Sequence, residues 1–272
     1  MRRLSNVLIV LLLVLAPACA KASAQERIAE AATKTTESGS ARFAMTMTMK
    51  GGPQEVTVDA EGAMEFASQK VAMTMNLGDL GAQAGMDKIE MMSEGQTIYM
   101  KFPNYEQLRL PTPWLKMDLS ALTGVPGMES LSQLNSNDPS RTLEMLRGVS
   151  EEVEEIGTED VRGTSTTHYK ANLGLKKAIA AIPEEDRAAL EKQFEQLGTD
   201  TVPTDVWIDD EGLLRRQTST IDLTKAQGAA AGGGKAPTEM VVEMELFDFG
   251  AEVDVEAPPK GEVTDFAELQ GG

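Results

Sequence analysis

Cysteine is nearly missing from these 272 residues: Cys19 stands alone, so the chain has no second thiol with which to form a disulfide. Histidine is as scarce. His168 is the only one, and any Ser-His-Asp or Cys-His hydrolase would have to be built on it without a G-x-S-x-G elbow. A histidine-based zinc site would need carboxylates for most of its ligands. Aromatic residues make up 4% of the chain, so apolar packing has to come from other side chains. Positive charge is outweighed, with 25 Lys and Arg against 43 Asp and Glu and a formal charge of -18. Nucleic-acid phosphates need basic contacts, which excludes DNA and RNA as partners. The same deficit excludes electrostatic docking on anionic head groups, so membrane attachment must be covalent or hydrophobic.

The one long apolar run lies at the start. Arg2 and Arg3 precede Val7 to Leu15, a stretch too short to span a bilayer, and small residues follow. Residues 1–24 therefore read as an export signal. Two cleavage schemes compete. Ala22-Ser23-Ala24 offers an A-x-A site before Gln25, which would discard Cys19. Leu15-Ala16-Pro17-Ala18-Cys19 offers a lipoprotein signal ending at Ala18, with Cys19 as the lipid anchor on the outer face of the cell membrane. The second scheme explains why the lone thiol stands just past the apolar run, although proline is uncommon at position 17 of such a signal. The first leaves a secreted protein.

Beyond the signal, about 250 residues suit one large β-rich domain. Residues 25–38 have helical spacing, and Gly39 ends them. The apolar period then changes to two. In ARFAMTMTMK, Phe43, Met45, Met47 and Met49 share one face; in EVTVDAEGAMEF, Val56, Val58, Ala60, Met64 and Phe66 do; in KVAMTMNL, Val71, Met73 and Met75 do. KIEMMS, QTIYMKF, WLKMDL, VEEIGTEDVRG, STTHYKANL, TDVWID, LLRRQTSTIDL and EMVVEMELFDFG continue the strands. Residues 119–148 read as a helical and irregular stretch and 174–197 as helical, Pro183 dividing the latter. Residues 226–237 are a low-complexity loop, and the last strand is followed by an extended tail, AEVDVEAPPKGEVTDF. The expected class is α+β: one large, curved antiparallel sheet with helices over a single face, in one domain from 25 to 272.

IYMKFP followed by WLKMDLS, then VRGTSTTHYKANLGLKKA, VPTDVWIDDEGLLRR and ELFDFGAEVDVEAPP, resembles actinobacterial lipoproteins of the LppX/LprG type, relatives of the LolA/LolB lipoprotein carriers. The likeness runs over roughly residues 27–266, and P-x-x-VWID-x-x-G-x-x-R at 203–215 is its most specific piece. It implies an antiparallel half-barrel whose concave face is closed by helices around an apolar cavity, and lipid acyl chains as cargo.

Methionine, present 16 times, is the chemistry the strands offer. Phe43, Met45, Met47, Met49, Met64, Met73, Met75 and Met100 are candidates to line such a cavity, with Trp114 at its mouth. Thioether side chains adapt to irregular apolar surfaces. An ordinary filled core explains the same pattern. Copper(I) is a third use for MTMTM, with no histidine or cysteine nearby in sequence to support it. Asp205, Asp209, Asp210 and Glu211 lack calcium-loop spacing and read as a hairpin turn. His168 alternates onto the face opposite Tyr169 and reads as a surface histidine. No cofactor and no catalytic residue is expected. The function expected is lipid binding or carriage without a chemical step; the alternative is a structural or sensory surface lipoprotein with a filled core, acting through protein partners.

Overall fold

The computed structural model describes residues 22–78, 81, 86–118, 143, 145–146, 149–181, 184–226, 236–253 and 256–270. Cys19, the signal and most of residues 119–148 and 226–237 lie outside the described residues, so the anchor and the loop stay as sequence expectations.

Helix α1 (Ala24–Glu37) begins at a capping box. Glu26 N–H donates to Ser23 Oγ at 3.2 Å, and Ser23 N–H donates to Glu26 Oε2 at 2.7 Å. Two otherwise orphaned donors are thereby satisfied. Ile28, Ala31, Ala32 and Thr35, spaced at helical intervals, form its buried stripe. Gly39, at φ +86°, turns the chain out of the helix and into the sheet.

Six strands follow as a meander: β1 (Ser40–Lys50), β2 (Val56–Glu65), β3 (Lys70–Asn76), β4 (Lys88–Glu94), β5 (Thr97–Lys101) and β6 (Trp114–Asp118). The hairpin β7 (Val149–Val161) and β8 (Thr164–Gly174) leads into two helices, α2 (Leu175–Ala181) and α3 (Glu184–Leu197). Next come β9 (Thr201–Asp209), β10 (Leu214–Asp222) and β11 (Glu239–Phe247). With β12 (Val263–Asp265), the twelve strands of the described residues form a single unclosed, curved sheet in the order β12-β6-β5-β4-β3-β2-β1-β11-β10-β9-β8-β7. The α+β half-barrel class is thus observed. The two halves of the chain join where β11 returns to pair with β1 along Arg42–Lys50.

The tail is not wholly extended. Val263–Asp265 forms β12, which adds parallel to β6, and Phe266–Gln270 forms α4. This one parallel pair makes the sheet mixed. Thr112 and Thr264 hydroxyls meet at 2.6 Å, and Lys116 Nζ donates to Asp265 Oδ2 at 3.2 Å; both contacts fasten the tail to β6.

Between β9 and β10 the acidic stretch is a turn. Asp209 Oδ1 accepts from the backbone N–H of Glu211 and of Leu213 at 3.0 and 2.8 Å, and its Oδ2 accepts from Arg215 Nε at 2.6 Å. The carboxylate is spent on holding the hairpin.

The larger core lies on the inner face, where α1 and α2 cover the sheet. Phe43, Met64, Tyr169, Val206, Leu214 and Leu246 are among its fully buried members. Thr35 Oγ1 accepts from Leu214 N–H at 2.9 Å and Arg27 Nη1 donates to the Tyr169 hydroxyl at 3.1 Å, which pins α1 across β8 and β10. A smaller cluster of Ile98, Leu115 and Met117, with Phe102 and Phe266 against it, serves the far edge.

Candidate functional site

Register decides which side chains meet on the inner face. Phe43 pairs with Leu246 on one side and Gly62 on the other; Gly62 pairs with Met73, Met73 with Met91, Met91 with Met100, and Met100 with Leu115. Successive strands lie about 4.8 Å apart, so Met73, Met91 and Met100 are immediate neighbours across the sheet. Gly62 is required in this row. A Cβ there would stand 2.3 Å from the Ala72 carbonyl oxygen and 2.8 Å from Met73 Cβ.

The next row runs Met244, Met45, Ala60, Met75 and Ile89. Beyond it Val242, Met47 and Val58 align, and then Met240, Met49 and Val56. Thioethers therefore recur on neighbouring strands as well as along one strand. The sequence shows only the second of these, and Met91, Met240 and Met244 join the set through register alone.

Burial changes along these rows. Ala41, Phe43 and Met64 are sealed, at 0% exposure, whereas Met45, Met47 and Met49 are half-buried, as are Met73, Met75, Met91, Met100 and Met240. Phe43 and Met64 are thus members of the packed core. The half-buried methionines form an apolar, partly accessible patch beside it, with Met45 and Met73 packed against this core and Met91 and Met100 against the smaller cluster.

Trp114 falls elsewhere. It pairs with Lys101 on the outer face, opposite to Leu115 and Met100, and Lys101 Nζ stands 5.4 Å from the indole centroid. It is 8% exposed.

The outer face carries a polar cluster that strand pattern alone does not reveal. His168 stacks on Trp207 with centroids 4.2 Å apart and planes 12° from parallel. Its Nδ1 lies 2.9 Å from Glu159 Oε1 and its Nε2 lies 2.8 Å from Asp205 Oδ1, and Trp207 Nε1 donates to Glu159 Oε2 at 2.8 Å. Hydrogen bonds from Trp207 and then His168 hold the Glu159 carboxyl below its ordinary pKa. Both imidazole nitrogens are occupied by carboxylates, so the ring has no nitrogen left to act as base toward a nucleophile. His168 does sit on the outer face, yet its side chain is only 13% exposed, because Trp207 from the adjacent strand covers it.

Next to it, Glu245 accepts from Arg216 Nε at 2.9 Å and Arg162 Nε at 2.6 Å. Burial opposes ionisation of Glu245, but the two guanidinium groups outweigh it and hold the carboxyl below its ordinary value. Arg162 also lies over Phe247, 4.1 Å from the ring centroid. These contacts tie the β7–β8 hairpin to β10 and β11. Among the described residues, no group of three or more His, Cys, Asp or Glu side chains is placed to hold a metal ion.

A cleft of about 330 Å³ opens where the register of β7 against β8 slips, between Val149 and Val153. Glu152, Glu154, Lys170 and Asn172 contribute most of its lining. Such a charged lining does not suit an alkyl chain; the methionine patch, apolar and partly accessible, is the candidate surface for one.

No family model matches the chain. It is 30% identical over 160 residues to an uncharacterized 31.2 kDa protein of Streptomyces griseus, a match covering 57% of this chain and 48% of that protein. Over the same length it is 24% identical to a candidate lipoprotein of Streptomyces coelicolor, covering 57% and 43%. The chain thus spans about half the length of the curated relatives it matches. Among solved structures it is similar to the lipoprotein LppX of Mycobacterium tuberculosis, with a TM-score of 0.47 at 18% identity over 86% of this chain and 97% of that one. LprF of Mycobacterium bovis gives a TM-score of 0.47 at 14% identity, over 86% and 96%.

Proposed function

We propose that this chain is an exported, lipid-anchored protein of the cell envelope that holds lipid acyl chains against the inner face of its half-barrel, and that it works by capture and release without a catalytic step. The observation that carries the binding reading is the step in burial along β1, from Phe43 at 0% exposure to the half-buried Met45, Met47 and Met49, matched on β3 and β5 and, one row later, on β11. A patch of contiguous, partly accessible thioethers flanking a sealed core suits a ligand that is apolar, long and variable in shape.

Magnitudes support this choice of ligand. A 16-carbon chain leaving a membrane needs replacement burial of about 12 kcal/mol, at about 0.8 kcal/mol per methylene. A broad face inside a curved sheet can provide that; the charged cleft at β7–β8 cannot. Placement in the envelope is supported by the export signal, the position of Cys19 and the lipoprotein relative from Streptomyces coelicolor. If Cys19 is acylated, the short segment from Ala20 to the capping box at Ser23 keeps the domain close to the membrane surface.

Native and denatured mass spectra of the protein purified from its host's membranes test both parts. The expected denatured mass is that of a chain starting at an acylated Cys19. The expected native mass includes a lipid lost on denaturation. A chain starting at Gln25 would refute the anchor, and a native mass without adduct, from protein that also fails to take up added lipid, would refute the binding.

A further inference from the structure

The inner face has a polar interruption beside the methionine patch. Gln217, on β10, stands between Val206 on β9 and Met244 on β11, and is 5% exposed. Two residues on, Ser219 stands between Thr204 and Val242. Gln217 Nε2 donates to Ser219 Oγ at 3.3 Å, Ser219 Oγ lies 3.3 Å from Thr204 Oγ1, and Thr204 Oγ1 donates to the Val202 carbonyl at 3.1 Å. Thr204 has one hydroxyl proton, and Val202 takes it, so the Ser219 hydroxyl is the donor to Thr204. The chain of hydrogen bonds therefore runs one way, from amide to backbone, and uses both hydroxyl protons along it.

Its open end is Gln217 Oε1, which is buried and has no hydrogen-bond partner. Turning the amide over does not remedy this. The Ser219 proton would then serve Gln217 or Thr204 but not both, and the amide nitrogen would become the orphan. The chain thus selects the orientation in which a buried acceptor awaits a donor. Buried polar groups left in this state are rare and need an explanation.

Location supplies one. Along the row from Gln217 lie Met244 and Met45, and along the row from Ser219 lie Val242 and Met47, the start of the thioether patch. These two rows carry no charged side chain from Val206 and Thr204 on β9 across to Ala60 and Val58 on β2. Arg27 reaches this face two strands away, where it donates to the Tyr169 hydroxyl.

We propose that Gln217 Oε1 is the head-group contact of the bound lipid, accepting a hydrogen bond from an uncharged donor such as a glycerol or sugar hydroxyl while the acyl chain lies on the methionines. This rests on the acyl-binding reading above. It narrows the ligand to neutral, hydroxyl-bearing lipids: a carboxylate or phosphate cannot donate to Gln217 Oε1 and brings negative charge to a buried place beside two rows without a charged side chain.

The test uses delipidated protein, 1-monopalmitoylglycerol and methyl palmitate, which share the chain and differ in hydroxyl groups, each competing against a fluorescent fatty-acyl probe. The wild type is expected to bind the monoglyceride about tenfold more tightly, the worth of one hydrogen bond to a buried group. In Gln217→Met that preference should vanish while methyl palmitate keeps its affinity. Equal affinities in the wild type would overturn the proposal whether or not the variant folds, as would a preference that survives in a folded Gln217→Met protein. If the wild type binds neither lipid nor the probe, the acyl-binding reading itself fails and takes this proposal with it.

Discussion

Replacing Met47 with tryptophan separates an accessible binding face from a filled core in one experiment. Met47 pairs with Val58 and Val242 and is half-buried, four residues along β1 from Phe43, which is sealed against Leu246. On an accessible face an indole projects into space that the ligand would use. If it displaces about three methylenes, the loss is about 2.4 kcal/mol at about 0.8 kcal/mol per CH₂, or about fiftyfold in affinity for a palmitoyl chain. Folding stability should change by less than about 1 kcal/mol, since the added bulk meets no dense packing. In a filled interior the same change strains its neighbours and costs about 1–3 kcal/mol. The assay is titration of a fluorescent palmitoyl probe into delipidated wild type and Met47→Trp, alongside urea unfolding of each. Undiminished affinity in a folded variant would show that Met47 does not touch the chain. A stability loss approaching 3 kcal/mol would show that this part of the face is packed core, and the burial argument would be refuted.

Truncating Met64 to alanine should behave in the opposite way: it is sealed between Ala41 and Val71, so urea unfolding should show a loss of about 2–5 kcal/mol, with probe affinity in the folded fraction little changed. Glu245→Gln should cost about 1–3 kcal/mol near neutral pH by weakening the bonds from Arg216 and Arg162. Because the Glu245 carboxyl is held below its ordinary value in the folded protein, its contribution is present above the unfolded pKa and is lost as pH falls through the folded one. Unfolding curves of wild type and variant should therefore converge in acid; a gap that persists below the carboxylate range would contradict the assignment.

Much of the site was legible in the chain because a strand's side chains alternate. Period two places Met45, Met47 and Met49 on one side and Thr46 and Thr48 on the other, whatever the neighbours are. It likewise put His168 opposite Tyr169. The same rule applied to WLKMD separates Trp114 from Leu115, but it does not say which of the two faces inward. Only the pairing of Leu115 with Met100 and of Trp114 with Lys101 decides that. The Asp209 turn was readable from local chemistry, and so was α1, through Ser23 and the helical spacing of Ile28, Ala31, Ala32 and Thr35.

What the sequence determined by itself was therefore local: where helices and strands lie, which residues of one strand share a face, and that the chain has a deficit of positive charge. The tertiary structure alone decided the rest. Neighbours in a sheet come from distant segments, so no local pattern announces that β11 returns to β1, that 263–265 adds a parallel strand to β6, or that Met73, Met91 and Met100 stand side by side. Accessibility is collective in the same way. Phe43 and Met47 occupy equivalent positions in one alternating strand, and they differ in burial because Phe43 belongs to the packed core that includes the buried stripe of α1 and Met47 does not. Gln217 is an unremarkable glutamine in sequence; its oxygen becomes an orphan acceptor only when β9 and β11 close over it.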